Sequence, residues 1–63
     1  MPMIRVELLQ GRTIDQKREF AALLTREGAR ILRCDPQSIN VVFVPVAHED
    51  WAGAGRLMSD LEE

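Results

Sequence analysis

The chain has 63 residues, of which 46% are hydrophobic, and carries a formal net charge of −2. This length allows one domain, residues 1–63, but with a core too small to stand alone, because a chain of this size buries only about 60% of the surface it exposes when unfolded. The acidic balance excludes the basic stripe of a nucleic-acid-binding protein, and no segment approaches the roughly 20 apolar residues of a membrane span.

Met3 to Leu9 alternates, with Ile4, Val6 and Leu8 on one side and Arg5, Glu7 and Leu9 on the other. Period two with β-branched residues predicts a strand. No basic-then-apolar leader precedes it, so export is not expected. Gln10-Gly11-Arg12 ends the strand, with Gly11 free to take a backbone conformation closed to other residues. Thr13-Ile14-Asp15-Gln16 has the pattern of a capping box, in which Thr13 caps a helix and Gln16 reaches back to its N–H. The helix is predicted to run to about Leu32. Phe20, Leu24, Gly28 and Ile31 share one face, and Leu23 and Leu32 widen it. Asp15 and Glu19 near the start, with Arg30 and Arg33 near the end, suit the helix macrodipole. Gly28 costs about 1 kcal/mol against Ala inside a helix, and the sequence shows no contact that explains it. Arg18, Arg26, Arg30 and Arg33, interleaved with Glu19 and Glu27, read as a solvated face.

Cys34 is the only cysteine, which excludes an intramolecular disulfide and fits a reducing cytoplasm. Asp35-Pro36-Gln37-Ser38 places proline after a cap residue and predicts a single helical turn. Ile39 to Val46 contains Val41, Val42, Phe43 and Val44 in succession, the pattern of a strand buried on both faces, as in a parallel sheet. Strand, helix and strand make a right-handed β-α-β unit of the α+β class. Trp51 follows, then Gly53-Ala54-Gly55, a hairpin or bulge; Arg56 to Glu63 is too short to fold alone. His48 and Cys34 have no ligand spacing for zinc, and no metal or cofactor is expected.

Two strands and one helix leave one sheet face bare. With disulfide and metal excluded, oligomerisation is the remaining source of stability, so a dimer or hexamer is expected. Two units joined edge to edge would form a four-stranded sheet with both helices on one side, and the bare faces of several dimers would pack around a shared centre. Seven of the eight basic residues are arginine, which suits interfaces and anion contacts better than lysine does.

The stretches Pro2-Met3-Ile4-Arg5-Val6, Leu9-Gln10-Gly11-Arg12-Thr13, Ile39-Asn40-Val41-Val42-Phe43-Val44 and Trp51-Ala52-Gly53-Ala54-Gly55 carry a family pattern. In this order and at this length the chain resembles the 4-oxalocrotonate tautomerase family, whose short β-α-β subunits begin, after the initiator methionine, with a catalytic proline. The resemblance implies a trimer of dimers, a tautomerase acting on an unsaturated 2-hydroxy or 2-oxo acid, and a place in the breakdown of aromatic compounds. It implies that Pro2, once Met1 is removed, is the general base. Arg12 would bind a substrate carboxylate across a subunit boundary, and Trp51 would stand as the aromatic wall of the pocket. Asn40 stands where many members have a second arginine, and Pro45 where an acidic residue is frequent.

A general base works best with a pKa near the operating pH. A guanidinium about 6 Å away favours the neutral amine by about 2.8 kcal/mol at an effective dielectric near 20, which is about two pKa units. One arginine and an apolar wall are therefore enough to tune Pro2, and the loss of a second arginine should weaken binding of a dicarboxylate more than it impairs proton transfer. Asn40 can still donate a hydrogen bond to a carbonyl or enolate oxygen. Other readings within reach are a hydratase or dehalogenase of unsaturated acids, which would need a water activator that no residue supplies clearly. A complementing subunit of a hetero-oligomer and a binding module without an active site complete the set.

Overall fold

The computed structural model describes residues 2–61. The expected removal of Met1 and the last two residues of the Arg56–Glu63 tail lie outside that range. Strand β1 (Met3–Leu9) leads through a tight turn into helix α1 (Ile14–Leu32). A 3₁₀ turn (Pro36–Ser38) precedes strand β2 (Asn40–Val46), and a second (His48–Asp50) precedes a small antiparallel hairpin, β3 (Ala52–Gly53) and β4 (Arg56–Leu57). A last turn spans Met58–Leu61. β1 and β2 are parallel, in register from Met3 opposite Asn40 to Leu9 opposite Val46. This is the predicted β-α-β unit with a C-terminal hairpin.

Local chemistry accounts for the element ends. The Gln16 N–H donates to Thr13 Oγ1 at 3.1 Å, and the Thr13 N–H donates to Gln16 Oε1 at 2.9 Å, so the capping box is formed. Gly11 has φ of 119°, as a turn that needs glycine requires. The helix ends on Arg33, held in the left-handed region with φ of 55°, its N–H donating to the Ala29 carbonyl. Asp35 caps the Pro36 turn by accepting from the Gln37 N–H at 2.9 Å. Ile39, expected to open the second strand, instead closes this turn by donating to the Pro36 carbonyl at 3.2 Å, and β2 starts one residue later. The Gly53-Ala54-Gly55 segment is a hairpin, with positive φ at both Ala54 (53°) and Gly55 (80°), as a two-residue type I′ turn demands.

The helix lies on one sheet face only. Phe20 and Phe43 meet with ring centroids 6.3 Å apart. Gly28 faces Ile39 and Ile4: a Cβ there would lie 3.4 Å from Ile39 Cδ1 and 3.9 Å from Ile4 Cδ1. These are ordinary van der Waals distances, so the helix packs closely on Ile39 and Ile4 here, but the contact leaves room for a methyl and does not itself demand glycine. Register pairs share a face, so Ile4, Val6, Leu8, Val41 and Phe43 lie under the helix, while Met3, Arg5, Glu7, Leu9, Asn40, Val42, Val44 and Val46 lie on the other side. The expectation that β2 is buried on both faces is not met within one subunit, where Val42 is 38% exposed. One helix can cover only one side of two strands. Among the described residues Ile39 alone is buried, at 8% exposure, and Met3, Ile14 and Ile31 are each 64% exposed. The arginines of α1 are solvated as expected, in exposed pairs such as Arg18–Asp15 at 2.7 Å and Arg30–Glu27 at 2.8 Å, which contribute little to stability.

Candidate active site

The parallel pairing decides where the four candidate residues stand. Both strands start at the same end, so Pro2, just before β1, is a neighbour of Asn40, the first residue of β2. The Asn40 N–H donates to the Pro2 carbonyl at 3.0 Å. Pro2 is half-buried and Asn40 exposed.

Arg12 and Trp51 stand at the opposite end. β1 carries the chain from Met3 to Leu9 before the Gly11 turn presents Arg12, a strand length of about 20 Å at about 3.3 Å per residue. At that end the Gln10 N–H donates to the Val46 carbonyl at 3.0 Å, and His48 Nε2 lies 3.5 Å from the Gln10 carbonyl oxygen. Arg12 borders a cleft of about 280 Å³ on the helix side, with Val6, Leu8, Gln16, Lys17, Phe20 and Phe43. Trp51 borders another of about 320 Å³, with Glu7, Val46, Asp50 and Ala52. Its backbone is held by the hairpin, since the Met58 N–H donates to the Trp51 carbonyl at 2.8 Å. The subunit thus brings Pro2 beside Asn40 and leaves Arg12 and Trp51 at the other end in separate clefts, Arg12 on the helix side of the sheet and Trp51 on the open side. It does not bring the two ends together.

Glu7 and Asp50 beside Trp51 were not among the candidates. Glu7 shares a sheet face with Leu9, which the alternation of β1 shows, but the chain path after β2 that carries Trp51 and Asp50 back over that face is not written in any local pattern. Glu7 is also 3.8 Å from Arg5 Nε, so a cation stands beside this carboxylate. Among the described residues, no group of three or more His, Cys, Asp or Glu side chains is gathered to hold a metal ion, and no helix is long and apolar enough to cross a membrane.

A short parallel β-α-β subunit with a proline at its head defines a class that comparison with known proteins makes specific. The family model described as tautomerase enzyme matches residues 2–61. The chain belongs to the tautomerase family, as an isomerase of the 4-oxalocrotonate tautomerase type. A Ralstonia nicotianae protein named as a probable tautomerase is 37% identical over 60 residues, 95% of this chain and 92% of that protein. The 2-hydroxymuconate tautomerase of Bacillus subtilis is 31% identical over 62 residues, 98% of this chain and all of that protein. Among solved structures, a 4-oxalocrotonate tautomerase homologue superposes with a TM-score of 0.93 at 35% identity, over the whole of both chains. A heterohexameric 4-oxalocrotonate tautomerase from Chloroflexus aurantiacus does so with a TM-score of 0.93 at 26% identity, covering 98% of this chain and all of the other.

Proposed function

We propose that residues 1–63 act as one tautomerase domain that converts the enol of an unsaturated 2-hydroxy acid, a dienoate or an arylpyruvate enol, to its keto form. Pro2, with Met1 removed, is the general base. Its neutral secondary amine takes the enol hydroxyl proton, and the ammonium that results returns a proton to carbon as the C=O bond forms. Arg12 holds the substrate carboxylate by paired charge-assisted hydrogen bonds. Trp51 supplies an apolar wall, and Asn40 donates to the developing oxyanion.

The observation that carries this reading is the split of the candidates between the two ends of the sheet. A strand length separates Pro2 from Arg12, and no side chain spans it. An antiparallel, two-fold pairing of subunits brings the Pro2 end of one to the Arg12 and Trp51 end of the other, so a whole site draws its residues from more than one subunit. Stacking such dimers on their uncovered faces gives the hexamer. The free Cys34 suits a reducing cytoplasm, where we place the enzyme. A second reading, a complementing subunit in a hetero-oligomer, is favoured by the uncharged Asn40 beside Pro2 and by the heterohexameric relative.

The test is an ultraviolet assay of enol-to-keto conversion with mass-checked protein lacking Met1. Turnover by this chain alone is expected; it should fall strongly in Pro2→Ala, which keeps only a primary amine, and vanish when Met1 is retained. Full activity of the unprocessed chain would rule out the amine mechanism. Activity that appears only on adding a second tautomerase chain would establish the complementing-subunit reading instead.

A further inference from the structure

Lys17 is the only lysine of the chain, set three residues before Phe20 and seven before Leu24. Those spacings put an ammonium on the apolar stripe of α1, the face that meets the sheet. Lys17 is accordingly half-buried, whereas Arg12, Gln16 and Phe20 around it are exposed. It borders the same cleft of about 280 Å³ as Arg12, lined otherwise by Val6, Leu8, Gln16, Phe20 and Phe43. A lysine stem lying over apolar side chains with its head in water accounts for the burial. It does not account for the charge. Arg5, Arg18, Arg26 and Arg30 each stand within 3.8 Å of a carboxylate. Among the described residues Arg12 and Lys17 join no ion pair, although the chain carries ten acidic residues. Asp15, in the same helical turn, pairs with Arg18 instead. Two unneutralised cations on one small cleft repel each other, and its apolar walls focus their field on an anion. Gln16 adds a neutral donor to the same lining: its side-chain oxygen is held by the Thr13 N–H, which leaves its NH₂ group to donate.

We propose that Lys17 is a further substrate-binding residue, which shares with Arg12 a single carboxylate at the rim of this cleft. The carbons next to that carboxylate lie against Val6 and Phe43. The inference rests on the carboxylate role given to Arg12 in the proposed function and narrows the substrate class. Both cations belong to one subunit, five positions apart, so they act together whichever copy supplies Pro2. With both charges on one carboxylate and the uncharged Asn40 beside Pro2, the site favours an acid with one carboxylate and an apolar, unsaturated remainder.

Binding of an unreactive acid tests this without turnover. Cinnamate has one carboxylate, an unsaturated apolar remainder and no enol, and cinnamamide is its uncharged counterpart. Calorimetric titration of the assembled protein lacking Met1 should find cinnamate bound about tenfold or more tightly than cinnamamide. Lys17→Met keeps the stem over the cleft and removes the charge; it should weaken cinnamate about fivefold or more and leave cinnamamide unchanged. Lys17→Arg should restore cinnamate binding to near the parent value. Equal binding of acid and amide by the parent would overturn the proposal. So would an equal loss for both ligands in Lys17→Met, or a loss in Lys17→Arg as large as in Lys17→Met, since either would mean that the lysine only packs. Arg12→Met separates the two readings. An unchanged affinity for cinnamate there would sink the role given to Arg12 in the proposed function, and the shared carboxylate with it. Weakened binding in Arg12→Met with parental binding in Lys17→Met would overturn the role of Lys17 alone.

Discussion

At the scale of single residues, Asn40 and Gly28 show how a side chain's neighbourhood sets the size of an effect. Asn40 opens β2 beside Pro2 and offers a hydrogen bond but no charge. A charge-assisted hydrogen bond to a carboxylate is worth roughly 1.5–3 kcal/mol, so Asn40→Arg should raise kcat/KM for the dicarboxylate 2-hydroxymuconate by about tenfold to a hundredfold. Phenylenolpyruvate, with one carboxylate and an aromatic end that can pack on Trp51, should change much less. Equal changes for the two substrates would show that position 40 does not read a second carboxylate, and would shift weight to the complementing-subunit reading. At Gly28 an added methyl would sit 3.4 Å from Ile39 Cδ1, the end of a side chain, and not against backbone. The helix gains about 0.8–1 kcal/mol from Ala in place of Gly, so Gly28→Ala should stabilise by up to about 1 kcal/mol in urea unfolding. Gly28→Leu overfills the contact and should cost about 1–3 kcal/mol. The cost of this glycine was legible in the sequence. Its neighbours were not, because Ile4 and Ile39 reach it from segments 24 and 11 positions away.

Elements with chemical punctuation are legible in the sequence. The capping box placed the start of α1 because its two hydrogen bonds join residues three apart, and such bonds form wherever the four residues meet. Thr13→Ala removes the oxygen that accepts the Gln16 N–H and should cost about 1 kcal/mol. At the other end Arg33 takes a left-handed conformation, φ of 55°, that costs a residue with a Cβ roughly 1–2 kcal/mol. Arg33→Gly should therefore raise stability by about 1 kcal/mol despite the greater freedom of glycine in the unfolded chain. Thermal and urea unfolding of both variants, at one fixed protein concentration, would check the pair, and a loss in Arg33→Gly would mean that the arginine has a partner the strain conceals. The sequence pattern opens β2 one residue early because Ile39 is apolar and β-branched, as a strand residue is, while its N–H is committed to the Pro36 turn.

At the scale of the whole molecule, the exposure of Met3, Ile14, Phe20, Ile31 and Val42, with one buried residue among those described, decides the matter. Hydrophobic burial drives folding at about 25 cal/mol per Å², and a subunit that closes so little of its apolar surface draws its stability from partners. The midpoint of thermal unfolding should rise with protein concentration, since association stabilises by mass action, and light scattering should find a dimer or larger species. A folded monomer at micromolar concentration would defeat this expectation.

The sequence by itself determined the β-α-β order, the faces of β1, the caps and the turn glycines, because each follows from contacts within a few residues or from a strict period. It also marked Pro2, Arg12, Asn40 and Trp51 through their likeness to a family pattern. Only the tertiary structure decided that Pro2 and Asn40 stand at one end of the sheet and Arg12 and Trp51, in separate clefts, at the other, since that depends on the parallel register of β1 and β2 and on the path that returns Trp51 beside Glu7. Pro45 reads as a flaw in a strand until the hydrogen-bond phase shows its missing donor turned outward, away from β1.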